Sequence, residues 1–333
     1  MTTGDTTATM AAAAFRRYGA PQVLEVLRVP VPQPGDGQVL VRVEATTVNG
    51  GELAQRQGKL RALARVTLPR FVGVDFAGEI VALGQDVTEF AVGERVWGTV
   101  DERGPIGSAA EYVPVEARRI ARSPDGWSAE DAVTLVAGGA TALVGLRDQA
   151  RLHAGERLLV RGAAGGVGSV AVQIGRMLGA HVTALTSASS ADFVLRLGAD
   201  DVIDYRTPVA SLGSYDVIFD TRGNELWSLR RHLTPRGRMV TIAFDVDHKL
   251  RSLGVIAASR IFGERRIRFF LGHPTGVLFE ELTQITETGH LQPVADSVFP
   301  LERIAEAHAK LENGGVHGKV VISIGAAVDD IRV

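Results

Sequence analysis

The chain has 333 residues, of which 45% are hydrophobic and 22% charged, and its formal net charge is -2 at pH 7. A chain of this length suits two domains, and its charge gives no electrostatic reason to bind nucleic acid or an anionic membrane. The absence of cysteine excludes disulfides, thiolate zinc sites and a cysteine nucleophile, and it fits a cytoplasmic protein. The histidines show no pair at i, i+3 or i+4, so we expect no metal site. No apolar run approaches the length of a membrane span, and residues 1–11 lack the pattern of a secretory signal and predict a disordered leader.

The first part of the chain predicts short β-strands. Apolar and polar residues alternate over 38–44, and residues 76–84, 87–97 and 110–115 read as further strands between glycine turns. Ser128, followed three residues later by Asp131, is close to a capping box and predicts that a helix begins there. We therefore expect a small β-rich domain that precedes the glycine-rich segment at residues 157–168.

A glycine-rich turn follows an apolar strand at residues 157–168 and leads into a helix. Strand, glycine turn and helix is the phosphate-binding start of a Rossmann unit, because glycine admits a pyrophosphate close to the backbone and the helix N-terminus offers free N–H groups. Further strands are predicted at 181–186, 202–203, 215–220 and 239–243, with helices between them. The alternation predicts the α/β class with a doubly wound parallel sheet.

The end of the second strand of this unit indicates which dinucleotide binds. Residues 185–190 read Leu-Thr-Ser-Ala-Ser-Ser, without the carboxylate that usually holds the ribose 2′-hydroxyl of NAD. Hydroxyl groups can donate to a 2′-phosphate, which favours NADPH. Against this, serine and threonine are ordinary turn residues, and no lysine or arginine lies in 185–195 to pair with the phosphate.

Several motifs in order resemble the medium-chain dehydrogenase/reductase family in its zinc-independent, quinone-oxidoreductase-like branch. They lie at 18–24, 73–84 with 92–98, 139–142, 162–173, 197–205, and 298–308 with 318–321. The resemblance implies a GroES-like domain from residues 12–137 and 272–333, with a Rossmann domain of residues 138–271 inserted. It also implies a cleft active site and a homodimer built near 267–271.

The resemblance further implies which residues act. Zinc-dependent relatives use Cys, His and Glu ligands, and this chain has Asn49 and Asp75 near the positions of the first Cys and the His. Asn49 is the main catalytic candidate, although Asn49-Gly50-Gly51 is also a plain turn signal. The loop Asn49-Gly50-Gly51-Glu52 departs from the Asn-Pro-x-Asp that is common in the family and could reshape the substrate pocket. Asp75 is expected to be structural. Tyr112 is a possible proton donor, with water the alternative source.

The remaining candidates would bind the cofactor. They are Thr141, Gly162, Ala164, Gly165, Gly166, Val167, Gly168, Thr186, Ser187, Ser190, Tyr205, Ala243, Phe244, Phe270, Leu271 and Lys319. Simpler explanations stay open for several of them. Thr141 could bond its own helix backbone. Tyr205 and the apolar residues could simply pack, and Lys319 could be a solvated lysine before a strand.

These features predict an NADPH-dependent reductase of a small molecule. Without a metal to polarise a carbonyl, a quinone or an α,β-unsaturated carbonyl compound is the expected hydride acceptor. Two alternatives remain: an enoyl-thioester reductase or another tailoring reductase of the same fold, and a non-catalytic NADPH-binding sensor or scaffold.

Overall fold

A computed structural model of the protein describes residues 8–61, 67–245, 248–261, 265–272 and 274–325. One half of the protein is built on a parallel sheet of six strands: β9 (Arg157–Arg161), β10 (His181–Thr186), β11 (Asp201–Asp204), β12 (Tyr215–Asp220), β13 (Leu233–Thr241) and β14 (Ile267–Phe269). Their order in the sheet is β11-β10-β9-β12-β13-β14. This order is that of a Rossmann sheet, whose crevice opens where the chain reverses between β9 and β12. The predicted fold class is confirmed.

The other half is β-rich and uses both ends of the chain. A seven-stranded sheet has the order β15-β16-β3-β5-β6-β8, with β7 on β3, and a small sheet has the order β2-β1-β4. The strands are β1 (Thr9–Phe15), β2 (Leu24–Pro30), β3 (Gln38–Thr47), β4 (Arg70–Phe71), β5 (Asp75–Leu83), β6 (Arg95–Thr99), β7 (Tyr112–Glu116), β8 (Ile120–Arg122), β15 (Ala295–Pro300) and β16 (Lys319–Ser323).

The helices cover the sheets and connect the halves. They are α1 (Gly50–Arg56), α2 (Ala129–Leu143), α3 (Gly168–Met177), α4 (Ala191–Arg196), α5 (Leu226–Arg230), α6 (Lys249–Ile261), α7 (Gly276–Glu287) and α8 (Ile304–Asn313). Ser128 caps α2 as predicted, because its hydroxyl accepts the Asp131 N–H at 3.0 Å. The predicted domain boundary at 137/138 falls inside α2, and both boundaries stay predictions.

Helix α2 and the turns that continue it to Gln149 are, by length and composition alone, long and apolar enough to span a bilayer. Within the protein, however, 72% of that apolar window is buried, and α2 packs against β5, β3 and α3. This burial identifies it as the central core helix between the two sheets, where apolar residues on all sides are expected.

Two sequence predictions need correction. Strand β1 begins at Thr9, so Thr9–Ala11 are not part of a leader; Met10 is fully buried and pairs with Val29. Residues 1–7 lie outside the described residues. The strand predicted over 87–97 begins only at Arg95, because Val92 is exposed and Gly93 adopts a positive φ of 92° that breaks the extended backbone.

Candidate active site

The predicted phosphate-binding turn joins β9 to α3. Gly162 has φ 77°, in the left-handed region that favours glycine. A Cβ at Gly168, the first residue of α3, would overlap the carbonyl oxygen of Gly162, so the turn closes only with glycine there. The first N–H groups of an α-helix have no partner within it, which suits an anionic pyrophosphate, although in α3 the Ser169 N–H already donates to the Gly165 carbonyl oxygen at 2.8 Å. Val167 precedes them at the N-cap.

The turn is bound to the β-rich half at the start of β16. Gly165 forms a bridge with Gly318, and the Gly318 N–H donates to the Ala164 carbonyl oxygen at 2.8 Å. A Cβ at Gly166 would lie 2.6 Å from Cδ of Lys319. The methylenes of Lys319 therefore run along the glycine turn, and their ammonium group continues into the β-rich half.

That ammonium group is the centre of a buried polar cluster, which comprises Thr47, Asn49, Glu52, Asp75 and Lys319. Lys319 Nζ donates to Asn49 Oδ1 at 2.5 Å and to Thr47 Oγ1 at 2.9 Å, and lies 3.4 Å from Asp75 Oδ2. Lys319 is 5% exposed and Asp75 is fully buried. A buried ammonium needs such a set of acceptors. The alternative that Lys319 is a solvated lysine is wrong.

Asp75 anchors this cluster from β5. Its carboxylate accepts the Thr47 N–H at 3.0 Å and the Thr47 hydroxyl at 2.7 Å. The ends of β3 and β5 are therefore locked together around the negative charge that Lys319 offsets. This geometry agrees with a structural role for Asp75 and also makes it part of the cluster's charge balance.

Asn49 places its amide between the charges. Oδ1 accepts from Lys319, and Nδ2 donates to Glu52 Oε1 at 3.1 Å. The other contacts of Nδ2, with Thr47 and Asp75, are long at 3.3–3.4 Å and thus weak. Because Asn49 is the one partly exposed member of the cluster, this second N–H is available to an acceptor oxygen in the cleft.

Glu52 completes the cluster from α1. Its Oε2 accepts the Gly73 N–H at 2.8 Å, and the residue is 8% exposed. Burial, and then the negative charge of Asp75, raise the pKa of Glu52 to about 7, although the hydrogen bonds from Gly73 and Asn49 and the charge of Lys319 oppose the shift. Sequence reasoning noted Glu52 only as part of an unusual loop. Its spacing of three from Asn49 was the available signal.

A third buried carboxylate lies at the end of β12. Asp220 is fully buried and accepts the Gly223 N–H at 2.8 Å and the Thr241 hydroxyl at 2.9 Å. Burial raises the pKa of Asp220 although Arg161 lies 3.3 Å away. These contacts fix the loops that follow β9, β12 and β13, where a Rossmann crevice receives its ligand.

The hydroxyl-rich end of β10 lies beside the glycine turn, since the Gly162 N–H donates to the Leu185 carbonyl oxygen. Ser187 is half-buried, and its hydroxyl bonds to those of Ser189 and Ser190. Ser190 and Thr186 are buried, and Ser190 also bonds to His317 Nε2 at 2.9 Å. Ser187 and Ser189 are therefore the hydroxyls of this group best placed to meet a ligand.

A cation also lies at this strand end, supplied by the next strand. The Tyr205 N–H donates to the Thr186 carbonyl oxygen at 2.8 Å, and the exposed Tyr205 ring lies 5.9 Å from the Arg206 guanidinium. Arg206 lies outside residues 185–195, the segment in which the sequence has no lysine or arginine. The parallel pairing of β10 with β11 is what brings it close.

The candidates for the nicotinamide end have different surroundings. Thr141 is half-buried on α2, one turn after Gly138, which packs against Gly166; among the described residues its hydroxyl makes no bond to the helix backbone, unlike Thr134. Ala243 and Phe244 follow β13 and are half-buried, with the Phe244 ring edge-on to Phe269. Phe270 packs on the core, whereas Leu271 is 69% exposed.

Tyr112 is not brought to the cluster. On β7 it pairs with Arg42, five residues before Thr47 on β3. At the rise of a strand this is roughly 16 Å along the sheet. Tyr112 packs instead against the core of the β-rich half, so the geometry gives no support to its role as proton donor.

Comparison with known proteins identifies the family. Residues 35–125 match the alcohol dehydrogenase GroES-like domain, and residues 197–322 match the zinc-binding dehydrogenase domain. The chain is 31% identical to the chloroplastic quinone-oxidoreductase QR1 of Triphysaria versicolor, covering 94% of this chain and 98% of that protein. It belongs to the medium-chain dehydrogenase/reductase family, in the quinone-oxidoreductase-like branch.

Other relatives agree. The mitochondrial NAD(P)H oxidoreductase RTN4IP1 of Drosophila melanogaster is 29% identical over 91% of this chain and 83% of its own. The solved structure of the quinone oxidoreductase from Coxiella burnetii superimposes with a TM-score of 0.85, at 27% identity, and covers 96% of this chain and 100% of that one. The predicted enzyme class is confirmed: the protein is an oxidoreductase that uses a nicotinamide cofactor.

The zinc implied by one domain's description does not fit these residues. The chain has no cysteine, and among the described residues no group of three His, Cys, Asp or Glu side chains could hold a metal ion. At Asp75 the neighbouring cation is the ammonium of Lys319. We therefore derive no step through zinc.

Proposed function

We infer that this oxidoreductase is a zinc-independent, NADPH-dependent reductase whose hydride acceptor is a quinone or an α,β-unsaturated carbonyl compound. The observation that supports this most is the polar cluster at the glycine turn, in which Lys319 bonds to Asn49 at 2.5 Å. A positive charge and an amide donor thus lie at the cleft where a family member with zinc would place a metal. The cluster offers hydrogen-bond donation without a Lewis acid.

The residues present fit a dinucleotide. The turn from Gly162 to Gly168 and the N-terminus of α3 would hold the pyrophosphate. Thr141 and Asn49 would hold the nicotinamide end, with Ala243 and Phe244 beside it. When bound, the reduced cofactor supplies the hydride.

Three features favour NADPH over NADH. No carboxylate ends β10, Ser187 and Ser189 offer hydroxyl donors, and Arg206 adds a positive charge at the same strand end. Asp204 also lies there, but its carboxylate accepts the Arg206 N–H at 2.8 Å and closes its own turn. A 2′-phosphate would therefore meet donors and a cation, which is the arrangement that NADP sites use.

The acceptor class follows from what the cluster can stabilise. A quinone or conjugated carbonyl places the charge of the incoming hydride on an oxygen atom. The weakly engaged Asn49 N–H can donate to that oxygen, while Lys319 polarises the amide from the other side. An unactivated ketone would need stronger polarisation than an amide provides.

We further expect a cytoplasmic homodimer. Strand β14 is the last strand of the six-stranded sheet, and within the described chain it pairs only with β13. An uncovered strand edge invites pairing with another chain, and the exposed Leu271 follows it directly. Light scattering coupled to size-exclusion chromatography tests the homodimer. A measured molar mass equal to that of one chain would overturn it.

The function is tested by following the oxidation of NADPH with quinones, enones, saturated ketones and enoyl thioesters, using protein dialysed against a chelator. We expect turnover with quinones or enones and faster turnover with NADPH than with NADH. Turnover confined to thioesters would contradict the proposed acceptor and would show instead that the protein is an enoyl-thioester reductase. Tight NADPH binding without turnover of any acceptor would favour the sensor.

A further inference from the structure

The polar cluster carries one cation and two carboxylates, all of them buried, and only its amide Asn49 is partly exposed. Lys319 and Asp75 form a neutral pair at 3.4 Å, and Glu52 adds a second carboxylate that no other cation in the cluster offsets. A net negative charge in such an interior is costly, so the excess carboxylate has reason to hold a proton.

The groups that face Glu52 are few. Asp75 approaches from β5, Lys319 from β16, and Asn49 and the Gly73 N–H bond to its two oxygens. On α1 itself, the buried Arg56 is turned away and pairs with Gly19 and with Glu312 of α8. The pKa of Glu52, raised to about 7, places its titration near neutral pH.

The cluster is also connected to the cofactor turn. The methylenes of Lys319 lie against Gly166, and the Lys319 ammonium and the Glu52 carboxyl are both bonded to the same amide, that of Asn49. If the nicotinamide binds at Asn49, as the proposed function requires, only the Asn49 side chain separates the ring from Glu52. The charge of the ring then acts electrostatically on the Glu52 carboxyl. The reduced ring is uncharged, and the oxidised ring is cationic.

We propose that Glu52 is a positioning residue that matches the charge of the cluster to the redox state of the cofactor. It is protonated beside the reduced ring and ionised beside the oxidised ring. On oxidation the O–H bond of Glu52 breaks, its electron pair stays on the carboxylate, and the proton leaves to solvent on the side of the partly exposed Asn49, which is bonded to the Glu52 carboxyl. The hydride and its two electrons go to the acceptor, which takes its own proton from solvent.

Cofactor binding tests this without any acceptor. The dissociation constants of NADPH and NADP+ are measured between about pH 6 and pH 8, on either side of the Glu52 midpoint. NADPH and NADP+ carry the same phosphates, so the effect of phosphate ionisation on binding cancels in the ratio of the two dissociation constants. We expect the ratio of the NADP+ to the NADPH dissociation constant to fall by about fivefold or more as pH rises.

Variants assign the effect to Glu52. Glu52→Gln is expected to hold the ratio constant within about twofold. The matched control Glu44→Gln, on β3 but paired with Arg95 outside the cluster, should behave as the wild type. Asp75→Asn removes the like charge beside Glu52 and should move the fall in the ratio to lower pH.

The wild type alone gives a second readout, which needs no variant to fold. Because Glu52 is about half protonated in the free protein at pH 7, calorimetry at that pH in two buffers of different ionisation enthalpy should find proton release on binding NADP+ and proton uptake on binding NADPH. A ratio that does not change with pH, an equal change in Glu52→Gln, or equal proton release by both cofactors would overturn the inference while leaving the proposed function intact. Failure to bind either cofactor would instead refute the proposed function.

Discussion

Lys319 Nζ and Asn49 Oδ1 lie 2.5 Å apart although 270 positions separate the two residues along the chain. The contact exists because β16 pairs antiparallel with β3, with Val321 opposite Thr47. It joins the glycine turn, through the methylenes of Lys319, to the buried carboxylates of the β-rich half.

Lys319→Met should destabilise the protein by about 3 kcal/mol, because it leaves Asp75 buried without its cation. The free energy of unfolding is measured with urea. The control Lys310→Met breaks a more exposed ion pair to Asp296, at 3.4 Å, and should cost about 1 kcal/mol or less. Equal losses in the two variants would contradict a structural role for the buried ammonium.

Glu52 should make the folded state less stable as pH rises. The pKa of Glu52 is raised from 4.5 to about 7 in the folded protein, so the folded state binds more protons than the unfolded state between these values. Stability is therefore fully present below about pH 4.5 and is lost as pH rises to about 7, by up to about 3 kcal/mol.

Urea unfolding of wild type and Glu52→Gln at several pH values checks this, because the difference between them cancels other titrating groups. Among those groups is His308, whose pKa burial lowers to about 3 and which acts in the opposite direction. The stability of Glu52→Gln relative to the wild type should increase from about pH 5 to pH 7. A constant difference would show that Glu52 titrates normally.

Gly168→Ala should weaken cofactor binding, because the new methyl group would overlap the Gly162 carbonyl oxygen and open the turn. We expect the dissociation constant for NADPH to rise by at least about tenfold. Gly254→Ala, on α6 with no heavy atom near the added Cβ, is the control and should bind NADPH normally. Fluorescence titration of NADPH gives both values. Unchanged affinity in Gly168→Ala would place the pyrophosphate elsewhere.

Arg206→Ala should weaken NADPH binding by about tenfold and leave NADH binding nearly unchanged, because only NADPH carries the phosphate that the guanidinium would meet. The nearby Arg196→Ala, at the end of α4, controls for the loss of one positive charge. An equal effect on both cofactors would mean that Arg206 does not read the 2′-phosphate.

The glycine turn could be predicted because its demands are local: a positive φ at Gly162 and a close approach at Gly168 both require glycine within one short segment. Strands β10 and β12 were predicted at their observed residues for the same reason, since a buried parallel strand reads as a short apolar run. The glycine turn and the strands beside it could therefore be predicted from the sequence.

The polar cluster could not be predicted, because its members come from β3, α1, β5 and β16. Lys319 resembles a surface lysine until β16 is placed beside β3, and Arg206 resembles a turn residue until β11 is placed beside β10. Burial and the raised pKa of Glu52 depend on those long-range pairings and on no local pattern. Glu52 alone offered a local signal, three residues from Asn49.

The central claim is that the glycine turn and the Lys319–Asn49 cluster form one hydride-transfer site, and isotope transfer tests it most directly. The protein is incubated with an enone and with NADPH deuterated at the position from which the hydride is transferred, and the mass of the product is measured by mass spectrometry. We predict one deuterium in the product, with transfer in Asn49→Ala slower by about tenfold or more even at saturating NADPH. Product without deuterium, or Asn49→Ala as fast as the wild type, would contradict the account.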